Sequence, residues 1–406
     1  MENHFRRRYY LIFFSSILGP LTTNSLVPIF EELRMNFNLV SIALVSLAIS
    51  FYILPFAIFQ LFAGTFSDII DKKKVVMIGY VIFVTGLILT YLAVLAKIFL
   101  LFLIGFFIQG IGFSFINPTI LAILSIISPE EKKGLVMGIY NSSAGFGVSL
   151  GALLSGFLAR YFSRGWELLF ILNPIITILS LCLFILALKN CEALVCRTFD
   201  FQINKSIQAK ESKMIQTLHQ LKTNLKKEIT LLGILGFLCF FIVITLTNTL
   251  NEQMRFSLKH LDSQEIILYV SIILTINGLI SITLSPITGY LLKTKHPLKM
   301  LIIGFALTFS MVFMPFSTSI YHFMLISFIT YLGSVFIWPA LFKIAMDITP
   351  EAKGTNSAII NSFRFIGYAS VGPFYVLFGI PIIYIWVISF NFCAIFIILI
   401  LFKIVK

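Results

Sequence analysis

Long apolar stretches alternate with short polar loops along almost the whole sequence. Each stretch is long enough to cross a hydrocarbon core of about 30 Å as a helix. This pattern is typical of an all-α integral membrane protein and predicts twelve transmembrane helices. The predicted spans are 9–30, 40–64, 75–96, 98–127, 134–159, 166–188, 229–251, 264–292, 299–316, 322–347, 354–378 and 382–402.

The basic residues predict the orientation in the membrane. Of the 30 lysines and arginines, 22 fall in alternate loops and at the chain ends, and six fall in the other loops. Cytoplasmic loops carry an excess of Lys and Arg, so we predict a multi-pass plasma-membrane protein with both termini in the cytoplasm. The first span follows Arg6, Arg7 and Arg8 without a small-residue cleavage site, so we expect it to remain in the mature protein. The net charge of +13 reflects this topology, and we expect no nucleic-acid partner.

A polar segment divides the chain. Residues 189–228 include eight basic side chains and no apolar stretch long enough to span a bilayer. We therefore predict a six-helix bundle at 1–188, a cytoplasmic linker at 189–228 and a second six-helix bundle at 229–406.

The two bundles repeat each other in sequence. Gly112 corresponds to Gly333 at an offset of 221, and Gly147 corresponds to Gly367 at an offset of 220. Two six-helix pseudo-repeats of this kind place a substrate path near the membrane midplane, between halves that rock about it.

Cysteine and histidine positions give no sign of catalysis or of a metal site. Three of the five cysteines lie in apolar spans, and Cys191 and Cys196 lie in the predicted cytoplasmic linker, where thiols stay reduced. The five histidines lie in loops or at span ends. We expect neither an enzyme nor a bound cofactor, with a proton gradient as a candidate for coupling.

A charged loop between spans two and three carries the motif Gly64, Asp68 and Lys72-Lys73-Lys74, and a weaker copy begins at Gly289. This loop resembles the signature of the major facilitator superfamily, whose members have the major facilitator fold. Gly147, Gly151 and Gly156 in span five resemble the pattern of its drug-exporting branch, with Ala152 in place of a proline. In span four, Gln109, Gly110 and Gly112 match the proton-antiporter pattern, whose arginine is replaced here by Phe106.

The resemblance implies a secondary active transporter that moves a small amphiphilic compound or metabolite by alternating access. The expected direction is efflux, and the expected mechanism is antiport. The loss of the arginine at Phe106 suggests relocated coupling, a uniporter or an exchanger. One alternative is a proton-independent carrier of organic anions or lipid-like molecules. Another is a non-transporting membrane sensor whose output is the linker. The expected partners are a small-molecule substrate and membrane lipids, and we expect a monomer.

Arg364 lies about ten residues into span eleven, and a charge at mid-membrane costs at least about 2.5 kcal/mol. It is predicted either to recognise an anionic or polar substrate group or to pair with a neighbouring helix or Asp68. Polar residues in the spans are predicted to bind substrate or to join helices. The predicted substrate-binding residues are Asn24, Gln109, Phe113, Asn117, Asn141, Asn248, Asn277, Trp338, Asn361, Arg364 and Tyr368.

Small and charged residues near the predicted helix ends form a second set. Lys343 and Asp347 are spaced to pair on one helix. The predicted gating residues are Gly64, Asp68, Lys72, Lys73, Lys74, Gly147, Gly151, Gly156, Lys343 and Asp347. Glu31 and Glu252, near the predicted outer end of the path, are the proton-coupling candidates.

Overall fold

Helices form nearly everywhere that the apolar stretches predict them. The computed structural model describes residues 9–69, 71–127, 133–188, 226–292, 294–348 and 353–404, and no strand occurs in these ranges. The α-helices are α1 Phe14–Asn24, α2 Phe30–Asn36, α3 Ile42–Ile69, α4 Lys72–Ala96, α5 Phe99–Ile127, α6 Lys133–Tyr161, α7 Gly165–Leu188, α8 Lys227–Ser257, α9 Ser263–Leu291, α10 Pro297–Thr308, α11 Ile320–Ile348 and α12 Lys353–Ile404. Three 3₁₀ segments, Tyr9–Phe13, Val27–Ile29 and Phe309–Phe316, continue these helices.

Eleven helical segments in the described ranges are long and apolar enough to cross a membrane. The first, Leu11–Asn36, joins α1 and α2 through the 3₁₀ turn at Pro28. The last, Ile359–Ile404, contains 46 residues, about twice the length that one crossing needs. Gly379 interrupts it with φ 65° and ψ −179°, where two helices meet. The arrangement is consistent with the twelve predicted crossings.

Equivalent helices pack together in the two halves of the molecule. In the N-terminal half, α1–α7, α1 packs on α6 and α3 packs on α5. In the C-terminal half, α8–α12, α8 packs on α12 and α9 packs on α11. Between the halves, α6 packs on α9 and α3 packs on α12. The predicted pseudo-repeat is thus present as a repeated set of helix contacts.

One glycine contact shows the repeat at atomic detail. A Cβ atom added at Gly147 would lie 2.5 Å from the carbonyl oxygen of Ile17, and one added at Gly367 would overlap the carbonyl oxygen of Phe237. Ile17 and Phe237 are separated by the same 220 positions as the two glycines. Small residues let helix backbones approach closely, so each half joins its first and fifth spans in the same way.

Polar side chains are concentrated inside the bundle. Thr22, Thr23 and Asn24 of α1 are buried, as are Thr245 and Asn248 of α8. Many large apolar side chains are exposed on the outer helix faces instead, as expected for a protein surrounded by lipid. The first helix of each half therefore presents hydroxyl and amide groups to the interior.

Candidate functional site

The guanidinium group of Arg364 lies among three aromatic rings. Its Cζ atom is 4.1 Å from the ring centroids of Phe240 and Trp338 and 5.2 Å from that of Phe365. We call Phe240, Trp338 and Phe365 the aromatic cage. Such rings attract a cation through their negative faces, by up to about 2 kcal/mol when water is excluded. The C-terminal half thereby stabilises a charge inside the membrane and fixes the plane of the guanidinium group.

The charge of Arg364 has no acidic partner among the described side chains. No carboxylate in those ranges lies within ion-pair distance of it, and its Nε atom is buried without a hydrogen-bond partner. The predicted alternative of pairing with Asp68 concerns a side chain outside the described residues. Within the described part, Arg364 therefore retains unused hydrogen-bonding capacity.

The aromatic cage borders the N-terminal half. The ring of Phe365 meets that of Phe56 in α3 edge to face at 4.8 Å, and Phe56 contacts Phe113 of α5 at 5.3 Å. Because α3 and α12 belong to different halves, Arg364 lies at the interface along which the halves meet.

Tyrosine hydroxyls surround the same interface one helical turn further along α12. Tyr368 follows Arg364 by four residues, about 6 Å along the helix, and its hydroxyl interacts with the side chain of Thr23 in α1. The ring of Tyr52 in α3 packs against those of Phe56 and Phe113, and the hydroxyl of Tyr331 in α11 contacts that of Thr247 in α8 at 2.8 Å. The region thus combines one cation, several phenol groups and aromatic walls from both halves.

The structure brings together four of the predicted substrate-binding residues, namely Phe113, Trp338, Arg364 and Tyr368. Asn361 lies one turn before Arg364 on α12 and is half-buried. Asn248 is buried, and its Oδ1 atom has no hydrogen-bond partner. The side chain of Asn141 lies outside the described residues.

The other predicted amides take part in contacts within or between helices. The amide of Asn24 donates to the Pro20 carbonyl at 2.9 Å. The amide of Asn277 donates to the Ser327 hydroxyl at 2.8 Å. Asn117 accepts from the Tyr140 hydroxyl at 2.7 Å. Gln109 donates to Gly86 and Thr90 of α4 at 3.4 and 3.3 Å, so it faces the interior of the N-terminal half.

The predicted gating glycines have different surroundings. Gly147 and Gly151 contact the backbone of α1 within their own half, whereas Gly156 contacts Ser271 of α9 across the interface. The side-chain surroundings at 64 and 68 lie outside the described residues.

The predicted charged gating residues are near helix ends. Lys343 donates to the Leu292 carbonyl at 2.5 Å, and no ion pair joins these described side chains of Lys343 and Asp347. Asp71 caps the start of α4 by accepting from the amide of Lys73 at 2.9 Å, so Lys72, Lys73 and Lys74 form the first turn of that helix.

Polar groups connect the halves at the end predicted to be extracellular. Asn251 of α8 donates to the Pro28 carbonyl at 2.7 Å. Ser263 of α9 accepts from Arg255 at 3.0 Å and donates to Glu32 of α2 at 3.1 Å. We call Glu32, Asn251, Arg255 and Ser263 the outer polar cluster. It holds α2 of the N-terminal half against α8 and α9.

The two proton-coupling candidates have distinct partners. Glu31 pairs with Arg34 at 2.6 Å within α2. The carboxylate of Glu252 accepts a hydrogen bond from the hydroxyl of Tyr375 in α12. Glu252 is therefore the candidate that joins two long helices.

Sequence reasoning missed Tyr52, Phe56, Phe240 and Phe365. The chain has 44 phenylalanines and 14 tyrosines, most of which suit ordinary membrane packing, so no spacing pattern distinguishes these four. Phe365 follows Arg364 directly in the sequence, but adjacent residues of a helix point in different directions, so helix periodicity does not predict that its ring lies beside the guanidinium group.

Comparison with known proteins identifies the family. The family model for the Major Facilitator Superfamily matches residues 12–373. The riboflavin transporter RibZ of Clostridioides difficile (strain 630) is 22% identical over 406 residues, covering 90% of this chain and 86% of RibZ. The MFS antiporter QDR3 of Candida albicans (strain SC5314 / ATCC MYA-2876) is 26% identical over 206 residues, covering 50% of this chain and 28% of QDR3.

Solved structures share the fold at low sequence identity. The crystal structure of a D-xylose-proton symporter superimposes with a TM-score of 0.74 at 15% identity, over 96% of each chain. A POT family transporter in complex with 5-aminolevulinic acid gives a TM-score of 0.70 at 16% identity, over 98% of this chain and 96% of that one. With the family match over most of its length, the chain belongs to the Major Facilitator Superfamily and is a membrane transporter rather than an enzyme.

Proposed function

We propose that this transporter carries a small amphiphilic organic anion by alternating access, with Arg364 binding the acidic group. The proposal combines the two transport functions that the sequence favoured. The observation that carries it is the guanidinium group of Arg364, which has no acidic partner among the described residues and is held in the aromatic cage at the interface of the two halves.

The chemistry of the cage favours a substrate that is partly anionic and partly flat and apolar. An arginine offers planar N–H donors that match carboxylate or sulfonate oxygens, and charge-assisted hydrogen bonds are roughly twice as strong as neutral ones. Phe56 and Phe113 add apolar walls from the N-terminal half. An anion with an aromatic body thus offsets the charge of Arg364 and packs on the surrounding rings.

Similarity to known transporters is compatible with the flat ring of this substrate class. RibZ is described as a riboflavin transporter, and riboflavin is a flat heteroaromatic compound. QDR3 is described as an antiporter, which supports our prediction of export by exchange. Proton coupling, the direction of transport and a plasma-membrane location remain predictions.

Uptake into liposomes tests the proposal. We expect the purified protein to move radiolabelled 2-naphthalenesulfonate saturably at equal pH on both sides, because this probe combines a permanent negative charge with a flat ring. Arg364→Gln should lower the initial rate at least tenfold, and Arg364→Lys should restore part of it. Arg164→Gln is the control, because Arg164 is exposed and pairs with Glu167 outside the site.

Three results would contradict the proposal. Equal rates for wild type and Arg364→Gln would remove Arg364 from the site. Saturable transport of a lipophilic cationic dye, with no transport of the sulfonate, would favour a cation exporter. No transport of either compound is the result expected of the membrane-sensor alternative.

A further inference from the structure

The hydroxyl group of Tyr52 is buried without a hydrogen-bond partner. The side chain is 2% exposed, and its Oη atom has no partner in the described structure. Other buried tyrosines differ: the Tyr80 hydroxyl contacts Ser15 and Ser180 at 2.8 Å each, and that of Tyr331 contacts Thr247 at 2.8 Å. A buried hydroxyl without a partner destabilises the fold, so the Tyr52 hydroxyl has a hydrogen bond to offer that no described protein group uses.

The N-terminal half makes room for this hydroxyl between α1, α3 and α5. A Cβ atom added at Gly19 of α1 would overlap Tyr52 Oη and approach the ring of Phe113 to 2.6 Å. A larger residue at position 19 would therefore displace the phenol group. Gly19 thus forms a cradle for the hydroxyl end of Tyr52.

The same hydroxyl lies close to the proposed anion site. The ring of Tyr52 in the N-terminal half stacks on that of Phe56 at 6.4 Å, and Phe56 meets Phe365 of the C-terminal half edge to face at 4.8 Å. The ring of Phe365 in turn lies 5.2 Å from the Cζ atom of Arg364. A small molecule bound to Arg364 is therefore within reach of Tyr52.

We infer that Tyr52 provides a second polar contact to the substrate, through a hydrogen bond to a hydroxyl, carbonyl or amide group carried by the same molecule as the anionic group. This inference rests on the proposed function and narrows its substrate class to anions with a second, uncharged polar group. A phenol both donates and accepts hydrogen bonds, so several such groups fit.

This contact links substrate binding to the movement of the halves. Arg364 belongs to the C-terminal half and Tyr52 to the N-terminal half. A substrate that contacts both residues therefore binds best in the conformation in which α3 and α12 are close together. A ligand shifts a conformational equilibrium only through its different affinity for the two states. Tyr52 provides such a difference for molecules with the second polar group.

A pair of probes that differ by one hydroxyl tests the inference. We expect wild type to transport 6-hydroxy-2-naphthalenesulfonate with a KM at least fivefold lower than that of 2-naphthalenesulfonate. In Tyr52→Phe the two KM values should become equal, because the hydroxyl group of the probe loses its partner. Tyr80→Phe is the matched control, because it removes a buried hydroxyl that already has protein partners, and it should keep the preference.

Thermal unfolding separates a binding role from a structural one. Tyr52→Phe removes a hydroxyl without a partner, so we expect an unchanged or higher Tm, whereas Tyr80→Phe should lower it. The inference is overturned if Tyr52→Phe keeps the hydroxyl preference, if it raises both KM values alike, or if wild type has no preference. Each of these three outcomes leaves the proposed function intact as long as Arg364→Gln still lowers the transport of both sulfonates. If neither sulfonate is transported by wild type, the proposed function and the role of Tyr52 are both wrong.

Discussion

Arg255 of the C-terminal half lies 3.8 Å from Glu32 of the N-terminal half, measured from Nη2 to Oε1. Both side chains are largely buried, with 20% and 12% of their surfaces exposed. The hydroxyl of Ser263 bridges them. The pair therefore stabilises the conformation in which the halves are together at the predicted extracellular end.

Arg255→Gln should shift the protein towards states in which this end is open. The change leaves Glu32 buried with a weaker partner, which destabilises the closed state at this end. A destabilisation of about 1–2 kcal/mol changes the ratio of open to closed molecules by about 5–30-fold. Spin labels on cysteines placed at Lys97 and Lys259, one exposed position in each half, report the separation by pulsed electron resonance. The five native cysteines are replaced first. We expect a new population at longer distance.

Arg164→Gln is the control for that experiment, since it breaks an ion pair within the N-terminal half. It should leave the distance distribution unchanged. A distribution that is the same in Arg255→Gln and wild type would show that the outer polar cluster does not hold the halves together.

Gly147→Ala should destabilise the N-terminal half. The added methyl group would lie 2.5 Å from the carbonyl oxygen of Ile17, so α1 and α6 must separate, at a cost of about 1–3 kcal/mol. Unfolding temperature in detergent measures the effect. Gly289→Ala is the control, because a Cβ there meets nothing within 4 Å. Equal melting temperatures for the two variants would contradict the contact between α1 and α6.

Phe106→Arg, which restores the arginine of the proton-antiporter pattern, should be poorly tolerated. Phe106 is 2% exposed, and its ring lies 5.0 Å from that of Phe102. A buried charge left without a partner typically costs about 3–5 kcal/mol. The measurement is the fraction of monodisperse protein after stepwise heating, with Phe106→Leu as the reference. Equal survival of the two variants would indicate that the site accommodates a charge.

Glu252→Gln should remove any response of transport to a pH gradient while preserving substrate exchange. The amide cannot take up a proton, yet it still accepts the hydrogen bond that Tyr375 donates to Glu252 in the native protein. Sulfonate uptake with and without an imposed gradient is compared with counterflow in the same liposomes.

Glu31→Gln serves as the comparison, because Glu31 is already paired with Arg34 inside α2. It should behave as wild type. A full gradient response in Glu252→Gln would exclude this carboxylate as the coupling group.

Hydropathy predicts most of the fold because each crossing must be long and apolar. The spans predicted at 75–96 and 322–347 correspond to α4, Lys72–Ala96, and α11, Ile320–Ile348. Local backbone features are harder to predict. The turn between the last two helices contains a single residue with positive φ, Gly379, where the sequence predicts a short loop.

The candidate site could be predicted in part. Arg364 is evident from sequence, because few charges occur inside spans. Phe240, which lies against its guanidinium group, and Phe56, which contacts Phe365 of the aromatic cage, are distant in sequence, and only helix packing brings them to the site. For Gln109 the sequence left two roles open, a substrate contact or a bond between helices, and its amide donates to Gly86 and Thr90 of α4.

The stacking of Trp338 on Arg364 places an optical reporter at the proposed site. The chain has three tryptophans, and replacing Trp166 and Trp386 with phenylalanine leaves the indole of Trp338 as the single one. Its emission responds to the charge and water around it. Ligand binding at Arg364 can then be followed as a change in intrinsic fluorescence of the protein in detergent, so that binding is measured separately from transport and without liposomes.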